Sequence, residues 1–174
     1  MLNELSQQAR RGGQLEQAQA LLEECHVLWR ESGTRMGERA AVMNLALVTL
    51  DRGALTRSTE LALESLELSQ DMGDDGSATT VRCVEIAAQV LGALASTPAA
   101  VTLLASATTR REALGAPRPS VEKPELDRLL DAARHDLPLS VFDAAWRRGE
   151  DLAIHDAIVQ AAASLTTLLE TRSR

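Results

Sequence analysis

Apolar positions along this chain recur three, four and seven residues apart rather than every second residue, which is the spacing of a helix face and not of a strand. In segment 35–52, Ala41, Leu45, Val48 and Thr49 fall along one side. The pattern also repeats. GQLEQAQALLEECHVLWRESG (13–33) aligns with GALTRSTELALESLELSQDMG (53–73) at an offset of 40, pairing Gly13 with Gly53, Leu21 with Leu61, Leu28 with Leu68 and Gly33 with Gly73. ASTPAAVTLLASATTRREALG (95–115) follows at an offset of 42. Ala18, Ser58 and Ala100 come into register, small residues that let a partner helix approach closely. The closing glycine suits the left-handed position that ends a helix. In the third copy Ala95 stands where the others have glycine, and Thr97-Pro98 is expected to supply the turn and helix start. With preceding helices at about 2–11, 35–52 and 77–95, the chain predicts three helical hairpins over 1–115, each burying the open face of its neighbour.

A two-helix unit of this kind resembles the tetratricopeptide repeat, in a long form with a period of 40–42 instead of the common 34. The resemblance implies a right-handed superhelix whose first helices line a groove. Repeat register then places Glu4, Asn44 and Glu85 at one level of that groove, Gln8, Val48 and Gln89 a turn further on, and Arg39 and Arg82 at the flank. Shifting 35–52 back by 40 starts its counterpart before Met1, so repeat one is expected to begin mid-helix. It would be either a piece of a longer array or an open end available for self-association. Trp29, late in the second helix of repeat one, is expected in the core; exposure there would mark a docking surface.

After Gly115 the grammar changes. APRPSVEKP (116–124) has three prolines, and 116–123 reads as a linker that cannot continue a helix. Residues 124–170 predict a helical cap: a helix to Asp136 with Leu126, Leu129, Leu130 and Ala133 on one face, then helices near 140–148 and 153–170 separated by Gly149. Phe142, Trp146, Ile154 and Ile158 are the expected plug over the last repeat. LLASATTRREALGAP (103–117) and VFDAAWRRGEDLAIHDAI (141–158) resemble the C-terminal tetratricopeptide region of actinobacterial LuxR-type and signal-transduction ATPase regulators, a likeness spanning about 13–165. It implies a region that senses or binds, with ATPase and DNA-binding domains fused to it or separate. Two departures stand out: Ala153 replaces the family's serine and His155-Asp156 its glutamate pair, leaving Asp151 as the candidate helix cap.

Composition narrows the reading further. Apolar residues are mostly Leu, Ala and Val, tyrosine is absent and aromatics are 2% of the chain, which predicts an all-α fold. A net charge of −7 argues against a direct nucleic-acid partner, since phosphate binding requires a basic face. The uncharged run Ile86–Ala107 is interrupted by Gln89, Ser96, Pro98, Thr102 and Ser106, and reads as two buried helices rather than a membrane span. Cys25 and Cys83 read as reduced, partly buried thiols, and with MLNELSQQARR offering no apolar signal segment the expected location is the cytoplasm. The cysteines form no CxxC and have no histidine at metal spacing, and no nucleophile is fixed by spacing near His26, His135 or His155, so no catalytic residue, metal or cofactor is expected. The sequence therefore predicts a non-catalytic module that binds a protein or peptide, with small-molecule effector binding as the second reading and a biosynthetic enzyme or accessory subunit as a distant third.

Overall fold

The computed structural model describes residues 2–74 and 76–172, which form helices joined by short turns, with no strand among them. The helices are α1 (Leu2–Arg11), α2 (Leu15–Glu31), α3 (Arg35–Asp51), α4 (Leu55–Asp71), α5 (Ala78–Ala93), α6 (Thr97–Leu114), α7 (Lys123–Asp136), α8 (Leu139–Glu150) and α9 (Ile154–Arg172). The fold is all-α. From α1 to α6 each helix packs on the next, and α8 packs on α6.

One turn design serves all six repeat helices. After each comes a residue of positive φ, one past the cap in α2–α5 and the cap itself in α6, and its N–H and the following N–H return to carbonyls of the last turn. Five of these residues are glycine; the sixth is Ala95, at φ +60. Its N–H reaches Gly92 at 3.2 Å and the Ser96 N–H reaches Leu91 at 2.9 Å, the same pairing that Gly53 and Ala54 make. Thus Ala95 itself takes the left-handed conformation, and Pro98 serves only to open α6. Ala18, Ser58 and Ala100 are fully buried, and Ser58 Oγ donates to the Ala46 carbonyl at 2.7 Å, so the small residues sit where paired helices come closest.

The C-terminal helices do more than seal an end. Gly149 lies inside α8, not between two helices, and is buried. A Cβ there would collide with the Thr102 carbonyl oxygen and the Ala105 methyl of α6, so the glycine is needed for helix crossing rather than for a turn. Thr102 Oγ1 donates to the Ala145 carbonyl at 3.1 Å and Ser106 Oγ to the Leu152 carbonyl at 2.8 Å. Those hydroxyls fasten α8 and the turn that follows it to α6. The α9 helix then turns back across α4, α5 and α6, burying Ile154, Ala157, Ile158, Ala161 and Leu165 in the main core. Asp151 terminates α8. Phe142 stacks on Trp146 at 6.1 Å and belongs with Val101, Ala133 and Ala145 to a small second core between α6, α7 and α8.

Two substitutions are expected to move stability in opposite directions. Gly149→Ala forces α8 off α6 and costs about 2 kcal/mol or more. Ala95→Gly relieves a left-handed alanine, whose strain of roughly 1–2 kcal/mol is partly offset by the freer unfolded chain, and stabilises by about 0.5 kcal/mol. Urea denaturation midpoints check both.

Candidate functional site

The face shared by the first helices of the hairpins was expected to be an open groove, and it is largely covered. α7 lies against α5, where Leu129 packs so closely that Gly92 leaves no room for a Cβ. Arg10 of α1 crosses to this helix, with Nη2 3.0 Å from Glu125 and Nε 2.6 Å from Asp51 of α3. The shallow cleft left beside them, about 220 Å³, includes Gln89, whose buried Nε2 has no hydrogen-bond partner.

The predicted groove residues accordingly separate. Val48 is fully buried in the main core, because α3 is enclosed on nearly every side. Arg39 is also buried: its Nη1 donates to Asp74 at 2.7 Å and to Ser69 and Thr80 at 3.2 Å, joining α3, α4 and the start of α5. Burial raises the pKa of Asp74, but hydrogen bonds from Ser77, Arg39 and Thr80 outweigh it and bring the carboxyl down to about 2. Asn44 donates to Asn3 at 2.7 Å across α3 and α1. Glu4 and Gln8 remain exposed on α1.

Glu85 is a different kind of residue from an open-groove carboxylate. It is completely buried on α5, and Arg111 of α6 grips it with Nε at 2.7 Å and Nη2 at 2.9 Å. Arg118 of the Pro-rich segment adds a third contact at 2.6 Å and donates to Thr108 at 2.8 Å. Arg82, 3.8 Å from Glu85 and 3.3 Å from Glu122, completes the cluster. Burial alone would raise the Glu85 pKa; the Arg111 hydrogen bond and the nearby Arg118 and Arg111 charges reverse that and hold it below the ordinary value. The same hydrogen bond raises Arg111, while burial lowers Arg82. Beside this cluster, between α6 and the linker, is a cleft of about 390 Å³ where the charged Arg111, Glu112, Arg118 and Lys123 alternate with Ala116 and Pro117.

The apolar opening lies at the other end of the molecule. Leu2, Cys25, Leu28 and Trp29 border a cavity of about 310 Å³ between α1 and α2. Repeat register explains it. Leu28 is 49% exposed where its counterpart Leu68 is 6% exposed, and Trp29 is 38% exposed where Ser69 is buried. In the second hairpin the two turns of α3 ahead of Val42 lie along the end of α4, with Arg35 on Asp71 and Arg39 on Ser69. Val27, Leu5 and Met36 are also exposed. Trp29 is thus a half-exposed residue packed on Gly37, rather than a core residue.

Comparison of the chain with protein-family models, curated proteins and solved structures gives no match in any of the three. Among the described residues no helix is long and apolar enough to cross a membrane.

Replacing Glu85 by Gln leaves three arginines around a neutral side chain and is expected to destabilise by about 3–5 kcal/mol. The sign of its pH effect follows from the lowered pKa. Its stabilisation is complete above the ordinary carboxylate range and is lost as pH falls through the lower folded value, as for Asp74 between about pH 4 and 2. Urea denaturation from pH 7 to pH 2 should show a shallower acid loss in Glu85→Gln than in the wild type.

Proposed function

We propose that this chain is a non-catalytic helical-repeat interaction module of a cytoplasmic bacterial regulator, and that it takes up a helix of a partner protein on the apolar end of α1 and α2. The observation that carries the reading is the opening bordered by Leu2, Cys25, Leu28 and Trp29, an apolar surface on a chain of net charge −7. Exposed apolar patches of this kind are where soluble proteins meet partners. The regulatory context rests on the resemblance of 103–117 and 141–158 to the tetratricopeptide regions of LuxR-type and ATPase regulators, in which other domains hydrolyse nucleotide and bind DNA.

The shape of the occupant follows from the repeat. In the second hairpin the first two turns of α3 lie along α4, with Arg35 on Asp71 at 2.8 Å and Arg39 on Ser69. Glu31 and Trp29 hold those positions on α2. A short helix with a small apolar face and one basic residue aimed at Glu31 fits there, a helix-on-groove mode of recognition.

A helix-stapled peptide of sequence Arg35–Val42 is the probe. In a Trp146→Phe background Trp29 is the sole tryptophan, and its emission is expected to shift to the blue with a Kd below about 1 mM. Leu28→Glu should abolish the response. An unchanged spectrum, or an equal response in Leu28→Glu, overturns the reading. Sedimentation velocity run alongside identifies a second copy as the occupant if dimerisation occurs and Leu28→Glu removes it.

A further inference from the structure

His26 of α2, Glu38 of α3 and Glu64 of α4 are far apart in sequence, yet one nitrogen or oxygen from each lies within 4.8 Å of the other two. The His26 and Glu38 side chains are mostly buried. The position itself is unusual: at an offset of 40 from His26 the second repeat has Leu66, fully buried in the core. Two carboxylates and an imidazole at such a site are unfavourable unless a cation neutralises them.

A cation is there. The Arg30 guanidinium places Nε 3.3 Å from Glu38 and Nη2 3.6 Å from Glu64 and 2.9 Å from His26 Nε2. Arginine can only donate, so Nε2 of His26 is the unprotonated nitrogen and turns its lone pair toward the cation. That is the tautomer metal ligation requires. Arg30 is 62% exposed on a flexible stem, free to swing into solvent.

We infer that His26, Glu38 and Glu64 form a binding site for a divalent first-row transition-metal ion, Zn²⁺ foremost, with Arg30 as its resident substitute. One imidazole nitrogen and two carboxylate oxygens are a donor set such ions accept, with water completing the shell. His26 Nε2 stands 3.8 Å from Glu38 and 3.7 Å from Glu64. Ligand atoms on a tetrahedral zinc are about 3.3 Å apart, so each carboxylate need approach His26 by only about half an ångström, and all three ligand atoms already lie within 4.8 Å of one another. Exchanging the single charge of Arg30 for a divalent ion balances the two carboxylates. The ion would tie α2, α3 and α4 together across the first two hairpins.

The test titrates Zn²⁺ calorimetrically into the chelator-treated full chain. The wild type is expected to bind one equivalent with a Kd tighter than about 100 µM. Arg30→Ala removes the competing charge and should tighten binding on the order of tenfold. His26→Leu installs the second-repeat residue and should abolish the site; Glu64→Gln, more exposed and gentler on the fold, should weaken it on the order of tenfold. Circular dichroism establishes that each variant is folded. No saturable site in the wild type, equal affinity in His26→Leu and Glu64→Gln, or no gain in Arg30→Ala would each overturn the inference.

Discussion

Glu85 carries a full charge at a place with no access to water, and the arrangement around it follows from that. A buried carboxylate is tolerated only when donors surround it, and α5 cannot supply enough of them. Arg111 comes from α6 and Arg118 from the Pro-rich segment, so one side chain fixes both the third hairpin and the path of the chain leaving it. Arg111 also donates to the Ala116 carbonyl at 3.3 Å, holding the turn where the repeats stop. Because the linker is drawn toward α5, α7 begins there and lies over the face the first helices share. The cover on the groove is thus a consequence of burying one charge.

That arrangement divides the surface. Around α5 and the linker, cations and carboxylates are largely paired, and the remaining clefts are shallow and mixed in character. At the α1–α2 end Leu28 and Trp29 face outward beside an apolar opening. A surface of the first kind contributes specificity to folding and little to recognition of an apolar partner. One of the second kind offers area whose removal from water is favourable. The contrast is why the apolar end, rather than the groove, fits a docking role.

Much of the architecture was readable from local signals. Turn glycines, small residues in register and the offsets of 40 and 42 placed the helices to within a few residues, because each signal is short-range and acts alike in every copy. The groove was not readable, since its fate depended on a long-range choice by the linker. Arg118 and Glu85 are 33 residues apart, and no periodicity connects them. Gly149 misled for a related reason: a glycine between helical stretches signals a break unless a second helix is known to cross there. Trp29 was expected in the core because buried aromatics dominate core packing, and its partial exposure depends on which helices reach it in three dimensions, which no local signal gives. His26 carried no local signal, because Glu38 and Glu64 reach it only after three helices have packed.

Repeat register gains most when positions are compared across copies instead of within one. Trp29, Ser69 and Arg111 share a single position. In the middle copy it is enclosed, and a small hydroxyl accepts a hydrogen bond from buried Arg39. In the last copy it meets the departing linker, and arginine holds Glu85. In the first copy it packs on Gly37 of α3, and tryptophan stands partly in solvent. His26, Leu66 and Thr108 behave the same way: leucine where the position is core, threonine where Arg118 needs an acceptor, histidine where two carboxylates converge. The scaffold sets where each side chain points, and the neighbour it meets sets what that side chain must be. Departures from the repeat are therefore the positions to read for function, and two of the sharpest, at 26 and 29, lie one turn apart on α2.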